Sequence, residues 1–240
     1  GFTTHQDSIA FFHSSYIEYV CAVFMLASGI NFSLFYHASV GRWQVMWRNE
    51  ELRVYLGIVA CCTLLCMGLF CFDRYSGVAA EVTPSTLPNG FEETFRSAFF
   101  HVSTIITSSG FAAQCYDYVG WGTPFFLPTV LLMCMGACAG STGGGVKLIR
   151  VITAFKYAKN EFLLQIHPRA VLPVRLSGVV LEESKVVRAL TYICLYVILL
   201  LIAVLLMSLT GMDLHSRLGS GISALSYLGP GMGATGPAST

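Results

Sequence analysis

The sequence predicts an all-α polytopic membrane protein assembled from a repeated unit. Three observations predict it. Hydrophobic residues make up 55% of the 240 positions and charged residues 11%, where a soluble domain carries about 25% charged residues. Four apolar runs approach or exceed the length that crosses a bilayer, about 20 residues. Short apolar stretches ending in glycine turns recur at the same place relative to those runs. The mean hydropathy is +0.66, and 14 basic plus 13 acidic residues are too few to cover a compact globule and keep it dispersed. A soluble enzyme, a disordered chain and a nucleic-acid binder are therefore disfavoured. The net charge of +1 adds nothing about partners.

Taken along the chain, the first run is Tyr19 to Tyr36, interrupted by Gly29, Asn31 and small polar groups. Val54 to Phe72 follows without a charge. Glu93 to Ile106 is apolar but too short to span, about 20 Å of helix at 1.5 Å per residue. It ends in Thr107-Ser108-Ser109-Gly110-Phe111. Trp121 to Ala139 is the third run, with Pro124 and Pro128 near its start, where a missing N–H costs little. Ala189 to Leu209 is the fourth. Leu214 to Tyr227 is the second short stretch and ends in Leu228-Gly229-Pro230-Gly231. Two amphipathic surface helices are the competing reading of the short stretches, but both are strongly apolar and occupy equivalent positions. The chain opens on Gly1 with no charged n-region and cleavage site, so no signal peptide is expected.

The charges orient the chain. Eleven of the 14 basic residues fall in two segments. Arg42 to Arg53 holds Arg42, Arg48 and Arg53. Lys147 to Arg188 holds Lys147, Arg150, Lys156, Lys159, Arg169, Arg175, Lys185 and Arg188. The positive-inside rule puts both in the cytoplasm. The glycine turns then face outward, beside most of the acidic residues. Trp43 and Trp47 suit an inner interfacial belt and Trp121 an outer one.

The repeat reads as span, pore helix, glycine turn, span. Residues 1–53 hold the end of one copy with a cytoplasmic loop, residues 54–185 a full copy with its cytoplasmic segment, and residues 186–240 a partial copy. Gly1-Phe2-Thr3-Thr4 resembles Gly110-Phe111-Ala112-Ala113. Irregular backbone at membrane depth survives only when buried in protein or lining an aqueous cavity. A glycine turn after a half-helix can aim carbonyl oxygens at one axis, where they replace the water shell of a monovalent cation. Gly136, Gly140, Gly143, Gly144 and Gly145 penalise continuous helix by about 5 kcal/mol, so the third run should break there. Lys147 follows at once, and an ionisable group near membrane depth is a functional candidate. The Gly136-xxx-Gly140-xxx-Gly144 spacing could instead be a helix-packing face. A phosphate loop is rejected, because Val146 separates Gly145 from Lys147, Leu148 follows, and no strand precedes.

The segment Gly136-Ala-Cys-Ala-Gly-Ser-Thr-Gly-Gly-Gly-Val-Lys-Leu-Ile-Arg150 resembles the most recognisable stretch of the TrkH/KtrB potassium-transporter family. His167-Pro-Arg-Ala-Val-Leu-Pro173, Leu228-Gly-Pro-Gly-Met-Gly233 and Gly1-Phe-Thr-Thr-His-Gln-Asp7 are similar to it as well. The TrkH branch is the nearer one, through His167–Pro173 and the long cytoplasmic segment. The resemblance implies four span–pore-helix–filter–span repeats around a pore, as in potassium channels. The first repeat and the last span would lie outside this chain. It implies a K+ filter built from Gly1 with Phe2, from Thr107, Ser108, Ser109 and Gly110, and from Tyr227, Leu228 and Gly229. Glycine at all three visible positions favours K+, since serine in a related filter goes with Na+ permeation. It implies that Gly136, Gly140, Ser141, Thr142, Gly143, Gly144, Gly145 and Lys147 form an intramembrane gate.

Further implications concern partners. The family assembles as homodimers in the plasma (inner) membrane and docks a cytosolic nucleotide-binding ring of the TrkA type. No cofactor is expected in this chain beyond the transported K+, and nucleotide would act only through that partner. A solvated loop is the other reading of Lys156 to Arg188. A carrier for Na+ or ammonium is the alternative function. An intramembrane enzyme would need His, Glu or Asp converging inside the spans, and Val54–Phe72 and Ala189–Leu209 contain none. The nine cysteines form no Cys-x-x-Cys and read as buried thiols, apart from Cys115 in a polar setting. His5, His13, His37, His101 and His215 have no metal spacing. His101 and Asp7, near the filter segments, are the exceptions to watch, and Asp7 could gather cations at the outer mouth.

Overall fold

In a computed structural model, the described residues are 3–5, 8–76, 90–113, 123–167, 170 and 172–231. Helices α1 (Ser15–Ser28), α2 (Phe32–Ser39), α3 (Trp43–Arg48) and α4 (Glu50–Ser76) lead into α5 (Phe91–Ile106). Then come α6 (Thr123–Met135), α7 (Leu148–Ile166), a hairpin of β1 (Arg175–Leu176) and β2 (Val179–Val180), α8 (Glu183–Ser208) and α9 (Leu214–Ser226). A 3-10 turn over Ser8–Phe12 precedes α1. The two short helices, α5 and α9, fall where their length and composition put them.

Helices α4, over Glu50–Phe72, and α8 are long and apolar enough to cross a membrane. The Tyr19–Tyr36 run differs from its expected form. It is not one straight span: α1 stops at Ser28 and α2 leaves at 97°. Asn31 starts the new helix by accepting the Ser33 N–H at 2.9 Å, a cap that competes with continued helix. Gly29 turns its carbonyl outward to the Cys138 N–H at 3.1 Å. Helix α6 breaks at Gly136, as its glycine content predicts. Pro128 lies within α6 rather than in its first turn, so the helix gives up one internal bond there.

The centre of the molecule is α5. Ten of its residues are buried, among them Ala98, Val102, Ile105 and Ile106. It packs between α1, α4 and α6. Tyr55, Val59 and Phe70 of α4 and Leu132 and Met133 of α6 close around it. This rules out the surface-helix reading for α5. Its buried hydroxyls bond within the chain: Ser103 Oγ donates to the Phe99 carbonyl at 2.6 Å and Thr107 Oγ1 to the Ser103 carbonyl at 2.6 Å. Helix α9 packs against α8 and α6. By contrast, α8 has only 6% of its apolar window buried, against 33% for α4, leaving its Leu, Ile and Val side chains on the outside.

An ion pair fixes the N-terminal half of α5. Arg96 Nε lies 2.9 Å from Glu18 Oε2 of α1, with both side chains nearly buried. Tyr19 Oη donates to Glu92 Oε1 at 3.1 Å beside it. Removing one partner strands a buried charge, which costs about 3 kcal/mol or more. Arg96→Ala should therefore lower the Tm in detergent markedly. A double Glu18→Leu, Arg96→Leu variant should recover part of the loss. An unchanged Tm for Arg96→Ala would remove the pair from the account of stability.

The two basic segments meet. The Glu50 N–H donates to Ser177 Oγ at 3.1 Å, and the Ser177 N–H donates to Glu50 Oε2 at 3.0 Å. Lys156 Nζ pairs with the Glu50 carboxylate and donates to the Arg175 carbonyl at 2.8 Å. The hairpin tip thus caps the start of α4, and Lys156 and Ser177 are held against Glu50. Its turn, Ser177-Gly178 at φ of 49° and 84°, is the two-residue turn that hairpins favour. That dipeptide between Arg175-Leu176 and Val179-Val180 was the available signal for it.

Candidate functional site

The two short helices end in matching turns. After α5, Ser108 has φ 54° and Gly110 φ 70°; after α9, Tyr227 has φ 57° and Gly229 φ 101°. Both are left-handed positions, and a glycine relieves the second of each pair. The Ser109 N–H donates to the Thr104 carbonyl at 3.0 Å and the Leu228 N–H to the Ser223 carbonyl at 3.1 Å. Thr104 Oγ1 donates to the Phe111 carbonyl at 3.0 Å, seven residues on, and Ser223 Oγ to the Pro230 carbonyl at 2.8 Å, also seven residues on. Each of these four pairs falls at the same sequence offset between the copies.

The turns also touch. A Cβ on Gly110 would stand 2.8 Å from Pro230 Cδ and would overlap the Leu228 carbonyl oxygen. Ser108, Ser109, Gly110, Leu228 and Gly229 are thereby brought together. Thr107, which caps the end of α5, and Ser226, at the equivalent position and the last residue of α9, are both buried.

The glycine-rich loop reaches both turns at once. A Cβ on Gly143 would stand 3.1 Å from the Thr107 carbonyl oxygen, and one on Gly144 would overlap the Ser226 carbonyl. The Gly144 N–H donates to Ser108 Oγ at 3.3 Å. Glycine at 144 is required by this approach, because any side chain would drive the loop off the α9 end. Lys147, at φ 71°, folds its ammonium back over the loop. It donates to the Ser141 carbonyl at 3.2 Å, to Ser141 Oγ at 3.3 Å and to the Gly143 carbonyl. A cavity of about 520 Å³ opens beside the loop, lined by Gly143, Gly144, Lys147, Arg150, Tyr192 and Tyr227 among others.

Residues that sequence reasoning passed over hold this loop in place. The Phe32 N–H donates to the Gly140 carbonyl at 3.2 Å and the Cys138 N–H to the Gly29 carbonyl at 3.1 Å. The helix break at Gly29–Asn31 is thus paired with the break at Gly136–Lys147. Glu51, buried in the first turn of α4, accepts the Ala139 N–H at 2.7 Å. A carboxylate at the mouth of an apolar run was a usable signal. Its partner, far away in sequence, was not.

Gly1, Phe2 and Asp7 lie outside the described residues. His101 Nε2 is 3.2 Å from Thr129 Oγ1 of α6, which ties α5 to α6. Among the described residues, no group of three or more His, Cys, Asp and Glu side chains could hold a metal ion.

This arrangement defines a multi-pass helical membrane protein made of repeated units, each delivering a glycine turn from a half-helix. The family model "TrkH: Cation transport protein" matches residues 85–240, and the chain belongs to that family. It is 34% identical over 237 residues to the Trk system potassium uptake protein TrkH of Escherichia coli strain K12, across 97% of this chain and 46% of the relative. It is 28% identical to the Trk system potassium uptake protein TrkG of the same strain, across 98% of this chain and 46% of the relative. The crystal structure of the potassium transporter TrkH from Vibrio parahaemolyticus superposes with a TM-score of 0.84 at 28% identity, covering 98% of this chain and 48% of that one. The chain spans about half the length of the curated relatives it matches. Those relatives are transporters, not enzymes.

Proposed function

We propose that the chain forms part of a potassium uptake protein of the plasma (inner) membrane. K+ passes a filter of backbone carbonyls from Thr107–Gly110 and Tyr227–Gly229, with Gly1 and Phe2 supplying a third turn. Carbonyl dipoles held at fixed separation replace the ion's hydration shell without a charged side chain. The loop Gly136–Lys147 is the gate beneath this filter. One observation carries the reading: Gly143 and Gly144 sit against the carbonyls of Thr107 and Ser226, equivalent residues at the inner ends of two half-helices. A loop in that position obstructs any path along the axis between the turns.

The orientation follows from charge and contact together. Arg42–Arg53 and Lys147–Arg188 are cytoplasmic, and the ion pair of Glu50 with Lys156 supports their lying on one side. The turns then face outward. Exposed Phe155, Phe162 and Ile166 on α7 suit a docked partner, in keeping with a homodimer regulated by a nucleotide-binding ring of the TrkA type. Flow is channel-like, down the electrochemical gradient.

The test uses the full-length protein in liposomes. Deletion of Gly143–Gly145 should raise K+ flux in the absence of any regulator, with protein yield and monodispersity retained. Unchanged flux would overturn the gate. Competition with Na+ and ammonium checks the ion: a preference for either over K+ would overturn K+ as the substrate.

A further inference from the structure

The two turns share one side-chain device. We propose that Thr104 and Ser223 are positioning residues for ion selection, each bracketing the glycine of its turn from the half-helix. The inference rests on reading these turns as the filter.

Residue 104 is engaged twice, and residue 223 in the same way. The backbone carbonyl accepts the N–H of the residue before the glycine, and the hydroxyl donates to the carbonyl of the residue after it. The first bond holds the peptide plane Ser108–Ser109 and the second holds the plane Phe111–Ala112. Two planes remain between them, carrying the carbonyls of Ser109 and Gly110. In the second copy the corresponding carbonyls are those of Leu228 and Gly229. These are the groups left for an ion, and their direction is set by the two bonds on either side. Peptide units are rigid and planar, so anchoring both flanks leaves the glycine torsions little freedom despite their permissive range.

The side chains around the device differ between the copies. Thr104-Ile-Ile-Thr-Ser-Ser-Gly-Phe111 and Ser223-Ala-Leu-Ser-Tyr-Leu-Gly-Pro230 share a hydroxyl at the first position, a hydroxyl at the fourth and the glycine. The fourth-position hydroxyls do different things. Thr107 Oγ1 bonds the Ser103 carbonyl, whereas Ser226 Oγ donates to the Met133 carbonyl at 2.8 Å. Only the first-position hydroxyl makes the same bond in both copies. Thr104 and Ser223 are both buried, so no water stands ready to replace them as donors to the Phe111 and Pro230 carbonyls.

The experiment compares Thr104→Val, Ser223→Ala and Thr104→Ser in the full-length protein, with K+ and Na+ flux measured in liposomes. Thr104→Val keeps the shape and removes the donor. A net hydrogen bond of about 1 kcal/mol corresponds to roughly a fivefold change. Thr104→Val and Ser223→Ala should each lower the K+ to Na+ flux ratio by about that factor, and Thr104→Ser should retain it. Monodispersity in detergent screens folding; if Thr104→Val fails it, Ser223→Ala decides. An unchanged ratio in a folded donor-less variant overturns the inference, as does an equal loss in Thr104→Ser. Gly110→Ser separates this from the filter reading. If Gly110→Ser alters the ratio while the hydroxyl variants do not, the filter stands and the bracket falls. If none alters it, the filter falls as well.

Discussion

Gly110→Ser should abolish most of the preference for K+ over Na+, by tenfold or more in the flux ratio. The serine meets two obstacles. Its φ of 70° is left-handed, which disfavours a residue bearing a Cβ by roughly 1–2 kcal/mol. Its Cβ would also overlap the Leu228 carbonyl oxygen and press on Pro230. The turn must then shift, and with it the neighbouring turn it touches. Both would lose the spacing that matches a dehydrated ion. Tracer flux of K+ and Na+ in liposomes reads the result directly. An unaltered ratio would sink the assignment of these turns as the filter. Gly229→Ser should be milder, since nothing stands within 4 Å of an added Cβ there and only its φ of 101° opposes it.

Glu51→Ala should give the largest effect on gating: unregulated K+ flux about tenfold above the unmodified protein. The carboxylate accepts the Ala139 N–H inside the loop at 2.7 Å. It therefore ties the loop to the start of α4. It also stands at the N-terminus of α7, where negative charge is favoured by the helix dipole. A hydrogen bond to a charged group is worth about 1.5–3 kcal/mol, and 1.4 kcal/mol is a factor of ten in an equilibrium. Losing this one bond is enough to shift the loop's closed state by about an order of magnitude. Glu51→Gln keeps the size and an acceptor, and should lie between the two. Unregulated flux equal to that of the unmodified protein in Glu51→Ala would remove this tie from the gate.

Much of the architecture was readable along the chain. Val54–Phe72 and Ala189–Leu209 proclaimed spans by length alone. The short helices α5 and α9 were legible because each is apolar, too short to cross, and followed by a glycine turn. The break at Gly136 was legible because five glycines in ten positions oppose a helix. The first run misled, since its apolar content hid the cap at Asn31 that turns α2 through 97°. The hairpin at Arg175–Val180 went unread although Ser177-Gly178 marked it, because two-residue strands carry almost no periodic signal.

The candidate site divides in the same way. The identities of Gly110, Gly229 and Gly143–Gly145 stood out in the sequence, because glycine is the residue that backbone crowding demands. What they crowd against did not. The Ala139 N–H meets Glu51 across 88 positions of chain, and Thr142 Oγ1 meets the Ser28 carbonyl across 114. Hydropathy, charge and turn chemistry are local quantities, so by themselves they determined the spans, the half-helices and the turns. Only the tertiary structure decided that two turns abut, that one loop lies on both, and that a carboxylate from α4 holds that loop. Those facts are distances between backbone groups far apart in sequence, set by how buried helices pack and by the need of every buried polar group for a partner.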